Sequence, residues 1–209
     1  MTRRFAIAAL VGAATLFLLA RNPAMATETP AYDVVQRWKE AELRRYGPTV
    51  VAETLVEGER EAAGTEGFRR LAGYIFGGNR ARASIAMTAP VAQAAAGERI
   101  AMTAPVAQAA ADGAWAVQFT MPSTWTLDTL PVPDDPRVTL RAEPGGLVLA
   151  RRYRGTWSEA RYAEEAAALD AVRAREGLRA RGAPTWARYD PPWTLPFLRR
   201  NEVLLAVAE

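Results

Sequence analysis

Glu42-Leu-Arg-Arg-Tyr-Gly-Pro-Thr-Val-Val-Ala-Glu-Thr-Leu-Val56, followed by Glu66-Gly-Phe-Arg-Arg-Leu-Ala-Gly-Tyr-Ile-Phe76, decides the fold, because two different periods stand side by side. In Thr49–Val56 the residues Val50, Ala52, Thr54 and Val56 fall on one side of an extended chain, and the preceding Gly47-Pro48 turn predicts a hairpin over Glu42–Val56. From Glu66 onward Phe68, Leu71, Ala72 and Ile75 recur at helical spacing until Gly77-Gly78-Asn79 stops them. Further along the same order returns. Val138–Ala142 and Gly146–Tyr153 flank Pro144-Gly145-Gly146 as a second predicted hairpin, and Thr156-Trp-Ser-Glu159 has the form of a helix-opening capping box. Tyr162, Ala166, Leu169 and Val172 then make a helical stripe up to Gly177. Strands are expected at Thr185–Tyr189 and Glu202–Val207, with a proline- and aromatic-rich loop, Asp190–Arg200, between them. Hairpin, helix and two strands stated twice predict an α+β domain with pseudo-twofold symmetry, a mainly antiparallel sheet curved against two helices.

The segment between the two halves carries a duplication. Ile85-Ala-Met-Thr-Ala-Pro-Val-Ala-Gln-Ala-Ala-Ala96 returns without change as Ile100–Ala111, separated by Gly97-Glu98-Arg99. Two copies fall short of a solenoid, so this is a local duplication. Alternation places Met87 and Met102 on a strand face with the neighbouring Ile, Ala and Val, where methionine fills gaps in a core. A pseudo-symmetric half has room for one such strand, so one copy is expected in the sheet and the other as an added arm or edge. Trp115–Met121 reads as the next strand, whereas Tyr32–Tyr46 settles on no single period.

At the N-terminus, Arg3 and Arg4 precede the uncharged apolar run Phe5–Ala20 and the small-residue triplet Ala24-Met25-Ala26, the pattern of a cleavable signal peptide over residues 1–26. As a helix that run spans ~24 Å, short of the roughly 30 Å hydrocarbon core. The paired arginines are compatible with twin-arginine export, with the general secretory route as the default. Residues 27–209 then form a single exported domain with no stable membrane insertion. Cleavage removes Arg3, Arg4 and Arg21 and no acid, leaving 23 bases against 23 acids, so the basic character belongs to the leader and no nucleic-acid footprint remains. The chain has no cysteine and no histidine. Disulfides, a lipoprotein anchor, Ser-His-Asp and Cys-His catalysis and histidine-bound metals are therefore absent from its repertoire.

Several stretches together resemble the SOUL haem-binding protein family: Glu42–Gly47, Gly67-Phe-Arg-Arg-Leu71 with Tyr74-Ile-Phe-Gly-Gly-Asn79, Ile85-Ala-Met-Thr-Ala-Pro-Val91, Phe119-Thr-Met-Pro122, Tyr189-Asp-Pro-Pro192 and Arg199-Arg-Asn-Glu-Val203. The resemblance spans about residues 30–208. It implies two ββαββ halves forming a distorted barrel flanked by two helices, and non-covalent binding of haem or a related tetrapyrrole in a groove between the first helix and the loop before the last strand. Carried onto this chain, the helix side is Phe68, Leu71, Ala72 and Ile75, and the loop side is Trp193, Leu195, Phe197 and Leu198. Arg69, Arg70, Arg199 and Arg200 are the candidate propionate partners, since a guanidinium grips a carboxylate with two hydrogen bonds. Some members have a proposed histidine ligand, which this chain lacks. Met87, Met102, Met121, Tyr74 and Tyr189 are the remaining conceivable iron ligands, and binding without a strong axial protein ligand is the expectation.

The expected function is sequestration, buffering or transfer of the tetrapyrrole outside the cytoplasm, without enzymatic activity. Two other classes stand beside it: a cell-envelope protein-interaction domain of the same fold, and a small-molecule hydrolase. Asp134-Asp135, the one pair of adjacent carboxylates between prolines, reads as a turn.

Overall fold

A computed structural model describes residues 27–81 and 97–209. Residues 1–26, the expected signal peptide, and the first duplicated copy, Ile85–Ala96, lie outside the described residues. In chain order the elements are β1 (Tyr32–Arg37), β2 (Glu42–Tyr46), β3 (Thr49–Val56), α1 (Arg60–Ile75), β4 (Asn79–Arg80), β5 (Val106–Ala111), β6 (Ala114–Thr120), β7 (Val132–Pro133), β8 (Val138–Glu143), β9 (Gly146–Tyr153), α2 (Glu159–Arg175), β10 (Thr185–Arg188) and β11 (Asn201–Ala206). Nine strands make one antiparallel sheet in the order β1-β2-β9-β11-β10-β5-β6-β3-β8, and β4 pairs separately with β7.

The repeated ββαββ order is present, but neither predicted hairpin is. β2 pairs with β1 and β9, whereas β3 pairs with β6 and β8. β9 likewise pairs with β2 and β11, not with β8. The first strand of each repeat therefore joins the sheet of the other repeat. Because the short links Gly47-Pro48 and Pro144-Gly145 join strands at opposite ends of the sheet, the sheet must curl towards closure. At that corner a Cβ on Gly145 would sit 2.5 Å from the Tyr46 carbonyl oxygen, a separation only glycine tolerates.

Both helices lie on one face. α1 packs on β3, β6 and β8 over a core of Ala52, Leu71, Ile75, Val117 and Phe119, and α2 on β9 and β11 over Leu43, Leu149, Leu169, Val172, Val203 and Leu205. α1 begins at Arg60, earlier than its apolar period, because its first turns touch the sheet through Ala63, Gly64 and Gly67, which give no hydrophobic signal. A Cβ on Gly67 would lie 2.5 Å from a Val117 methyl, so glycine sets that approach. α2 is capped by Ser158, whose hydroxyl accepts the Arg161 N–H at 3.3 Å, rather than by Thr156. The second duplicated copy enters the sheet only from Val106 on. Pro105 has no N–H to give to a ladder, and Met102 lies before the strand, 37 % exposed instead of in the core.

The middle of the face turned away from the helices is buried by the curl of the sheet itself. It carries the small or compact side chains Val51, Ala116, Ala150 and Ala187, and among them an ionic cluster. Glu202, with no side-chain exposure, accepts from Arg44 at 2.7 Å, Arg200 at 2.8 Å and the Tyr189 hydroxyl at 2.9 Å. Burial would raise the Glu202 carboxyl, but hydrogen bonds and charge from Arg44 and then Arg200 outweigh it and hold the group below its ordinary value.

Two outcomes follow for stability. Glu202→Gln takes the bidentate partner from buried Arg44, leaving it Glu42 alone, and removes the carboxylate that Arg200 pairs with, so denaturant titration should show a loss of about 3 kcal/mol, against under about 0.5 kcal/mol for Arg37→Ala in the exposed Arg37–Glu42 pair. Since the folded value of Glu202 is depressed, its contribution is complete above the ordinary carboxylate value of 4.5 and is lost as the pH falls through the folded value, so the parent should lose stability over that acid range more steeply than Glu202→Gln. For the duplication, Asn79 and Glu98 exchange side-chain to backbone hydrogen bonds at 2.8 and 2.9 Å, which brings the chain on either side of residues 82–96 together. Deleting residues 82–96 should keep cooperative thermal unfolding. Deleting 85–99 instead puts Arg82 in the place of Gly97, where any Cβ would run into the Gly77 carbonyl, and should be markedly destabilising. Loss of cooperativity in the first deletion would show that both copies are structural.

Candidate functional site

The loop Asp190–Arg200 joins β10 to β11 and is held from within. Arg199 donates to the Thr194 carbonyl at 2.7 Å and the Pro192 carbonyl at 2.6 Å, and its guanidinium lies 4.1 Å from the centre of the Trp157 ring. Pro196–Leu198 form one 3-10 turn. The Gly155 N–H donates to the Pro196 carbonyl at 3.0 Å and Arg154 to the Phe197 carbonyl at 3.2 Å, which fastens the loop to the connection between β9 and α2. With its backbone engaged inward, the loop turns its large apolar side chains outward. Trp193 is 82 % exposed, Leu195 55 %, Phe197 64 % and Leu198 56 %. So much apolar surface on one braced turn is the mark of a contact site.

The helix residues behave differently. Leu71 and Ile75 are sealed in the core beneath α1, 0 % and 1 % exposed. Ala72 is half-buried, while Phe68 is 39 % exposed and sets its ring edge against Phe119 at 5.5 Å. Among the described residues no hydrogen bond, ion pair or ring contact joins Phe68, Leu71, Ala72 or Ile75 to Trp193–Leu198. The contacts that position the loop run instead to the start of α2.

The four candidate arginines are all engaged. Arg69 and Arg70 both pair with Glu66, and Arg70 also donates to the Leu55 carbonyl. Arg199 braces the loop, and Arg200 serves Glu202 and lies 3.8 Å from the Tyr189 ring centre. Consecutive arginines in a sequence show their charge but not their partners. Arg154, exposed and donating only to the Phe197 carbonyl, is a further cation beside the loop with no ion pair among the described residues, and sequence reading passed over it.

Of the conceivable iron ligands, Tyr189 gives its hydroxyl to Glu202, and burial followed by that carboxylate's charge pushes the phenol well above its ordinary value. Tyr74 is buried and donates to the Pro131 carbonyl at 3.0 Å. Met121 is buried in the first core, Met102 is half-exposed ahead of β5, and Met87 lies outside the described residues. Asp134 and Asp135 form salt bridges with Arg80 and Arg137, and hydrogen bonds from Arg137 hold Asp135 down at about 2, which is turn chemistry.

A second concavity, about 700 Å³, opens where the curled ends of the sheet approach. Tyr32 of β1, Val50 of β3, Ala142 of β8 and the segment Met121–Trp125 contribute to it. Its volume suits a small organic ligand, and nothing in the local sequence announces it, because its walls come from segments far apart in the chain.

The family model described as SOUL heme-binding protein matches residues 27–206. No curated protein matches. Among solved structures the chain is similar to a hydrolase from Listeria innocua, with 16 % identity over 83 % of this chain and 94 % of that one and a TM-score of 0.51. It is also similar to an uncharacterized conserved protein from Listeria innocua, with 14 % identity over 81 % and 93 % of the two chains and a TM-score of 0.52. A chain in the cryo-EM structure of an EcmrR–DNA complex matches at 10 % identity over 81 % of this chain and 57 % of its own, with a TM-score of 0.52. At these identities the likeness shows the shared α+β fold alone.

Proposed function

From membership of the SOUL heme-binding protein family, to which this chain belongs, we propose that the protein binds haem or a related tetrapyrrole on the braced loop and holds it without histidine. The carrying observation is the outward display of Trp193, Leu195, Phe197 and Leu198 on a turn whose backbone is already satisfied. A flat apolar disc with two carboxylates fits such a surface when a cation stands at its edge, and Arg154 stands there. When bound, the tetrapyrrole supplies the metal chemistry. The chain would supply an apolar bed from Trp193, Leu195, Phe197 and Leu198 and a charge for a propionate from Arg154, with no histidine to hold the metal. Even charge in residues 27–209 favours such a ligand over nucleic acid.

Export is part of the proposal: Arg3-Arg4, Phe5–Ala20 and Ala24-Met25-Ala26 read as a leader, and the family match begins at residue 27, directly after the expected cleavage. Outside the cytoplasm the protein sequesters, buffers or passes on its ligand. A binding role in preference to an enzymatic one is supported by the lack of histidine and cysteine and by the ion pairs that occupy Asp134 and Asp135.

Hemin added to purified residues 27–209 should give a saturable Soret change near one equivalent. Trp193→Ala and Phe197→Ala should each weaken binding about tenfold, while Leu55→Ala, which removes an exposed apolar side chain elsewhere, should not. If the metal is held without a strong protein ligand, added imidazole should shift the Soret band further. Absence of a saturable change sinks the proposal. Affinity that ignores Trp193 and Phe197 but falls in Trp125→Ala would move the ligand to the 700 Å³ cavity.

A further inference from the structure

Between the helices, β5 and β10 form the strip of the helix-bearing face on which neither α1 nor α2 chiefly packs, and side chains fill this trough, the Tyr162 ring lying 3.2 Å from that of Trp186. Strand register sets Gln108 of β5 opposite Trp186 of β10, and Trp186 opposite Val203 of β11, so Gln108, Trp186 and Arg188 share the face on which both helices lie. Arg60, the first residue of α1, closes over this floor with its guanidinium 3.1 Å from the Trp186 ring centre and 5.5 Å from that of Tyr162 in α2. At the far end Arg188 faces the Trp157 ring at 4.9 Å, and Tyr153 and Trp157 are half-buried beside it.

The polar groups here do not close on one another. Arg60 is only 7 % exposed, yet its Nε and Nη1 have no partner, and neither does Gln108 Oε1. Its remaining nitrogen meets Glu159, a side chain 72 % exposed that reaches in from solvent. Arg188 has no side-chain hydrogen bond or ion pair among the described residues. Burial, then repulsion from Arg60, lowers its hold on its proton. Buried guanidinium donors left unpaired are costly, and native structures keep them for a reason. Arg60 with its unpaired buried donors and half-buried Arg188 with no partner of its own together match a flat anion: a carboxylate for the guanidiniums, and a ring to lie beside the half-buried Tyr153 and Trp157. Glu159 already shows that a carboxylate reaches Arg60 from outside.

We propose that the trough between α1 and α2 is a binding site for a planar aromatic carboxylate, held by Arg60 and Arg188 in place of Glu159. This site is separate from the loop surface and does not rest on tetrapyrrole binding. The acid has two natural sources, a free aromatic acid or an acid arm of a larger ligand, and the shared chemistry is what the trough selects.

Calorimetric titration of residues 27–209 with 2-naphthoate should show saturable binding, and the uncharged 2-naphthamide should show none. Arg188→Gln, which removes no internal bond, should weaken 2-naphthoate about tenfold, and Glu159→Gln, which removes the competing carboxylate, should tighten it by about the same factor. Arg60→Gln should abolish binding, with circular dichroism reporting whether the variant is folded. The Arg188 and Glu159 variants decide the matter if it is not. Hemin pre-bound at one equivalent that leaves 2-naphthoate binding unchanged points to a free acid, whereas competition sensitive to Arg188→Gln points to the acid arm of the larger ligand, and either supports the site. No binding, equal binding of the amide, or binding lost in Trp193→Ala and retained in Arg188→Gln would overturn it.

Discussion

The Glu202 carboxylate is the interaction on which the rest of the structure leans. Arg44 lies on β2 and Glu202 on β11, with β9 between them, so their ion pair reaches across a strand and fixes β2 in the half to which it does not belong by sequence. Arg200 and Tyr189 bind the same carboxylate from the two ends of the aromatic loop. Closure of the sheet and presentation of the loop thus share one buried group. A fully desolvated carboxylate is tolerable only with such complete pairing, and complete pairing is also what makes the arrangement specific.

Arginine does most of the connecting work in a chain without disulfides. Trp157 lies between the guanidiniums of Arg188 and Arg199, at 4.9 and 4.1 Å, and thereby links the trough to the loop. Delocalised, weakly hydrated and able to stack, guanidinium serves at once as counter-ion, carbonyl clamp and ring partner. The cost is that a few of these groups are left with unmet donors, and those are the places where a ligand gains most.

Much of the fold was legible because each repeat changes period from two to helical spacing at the same point. The pairing of strands was not. Gly47-Pro48 and Pro144-Gly145 announce a reversal of the chain, but a turn says nothing about whether its two strands become neighbours or are handed to different halves. One tight hairpin that does exist, β5 to β6, is marked by Asp112-Gly113, both with positive φ (36° and 82°), a dipeptide signal that the eye-catching duplication before it obscured. In the site, the unusual apolar content of residues 193–198 was readable as such. Arg60 was not, since it stands in a charged run before the apolar stripe of α1, and only the fold sets it over Trp186 from β10.

The exchange of first strands also bears on what the chain could have come from and what it can no longer do. A polypeptide comprising one ββαββ unit would expose an unfilled edge where the partner's leading strand belongs, and would offer its own leading strand to another molecule. Two copies of such a unit complete each other as an interlocked homodimer, and the present chain has the geometry of that dimer with its subunits fused. Fusion converts an equilibrium that depended on concentration into one that does not. It also means that neither half is a module in the evolutionary sense, because each carries an indispensable piece of the other.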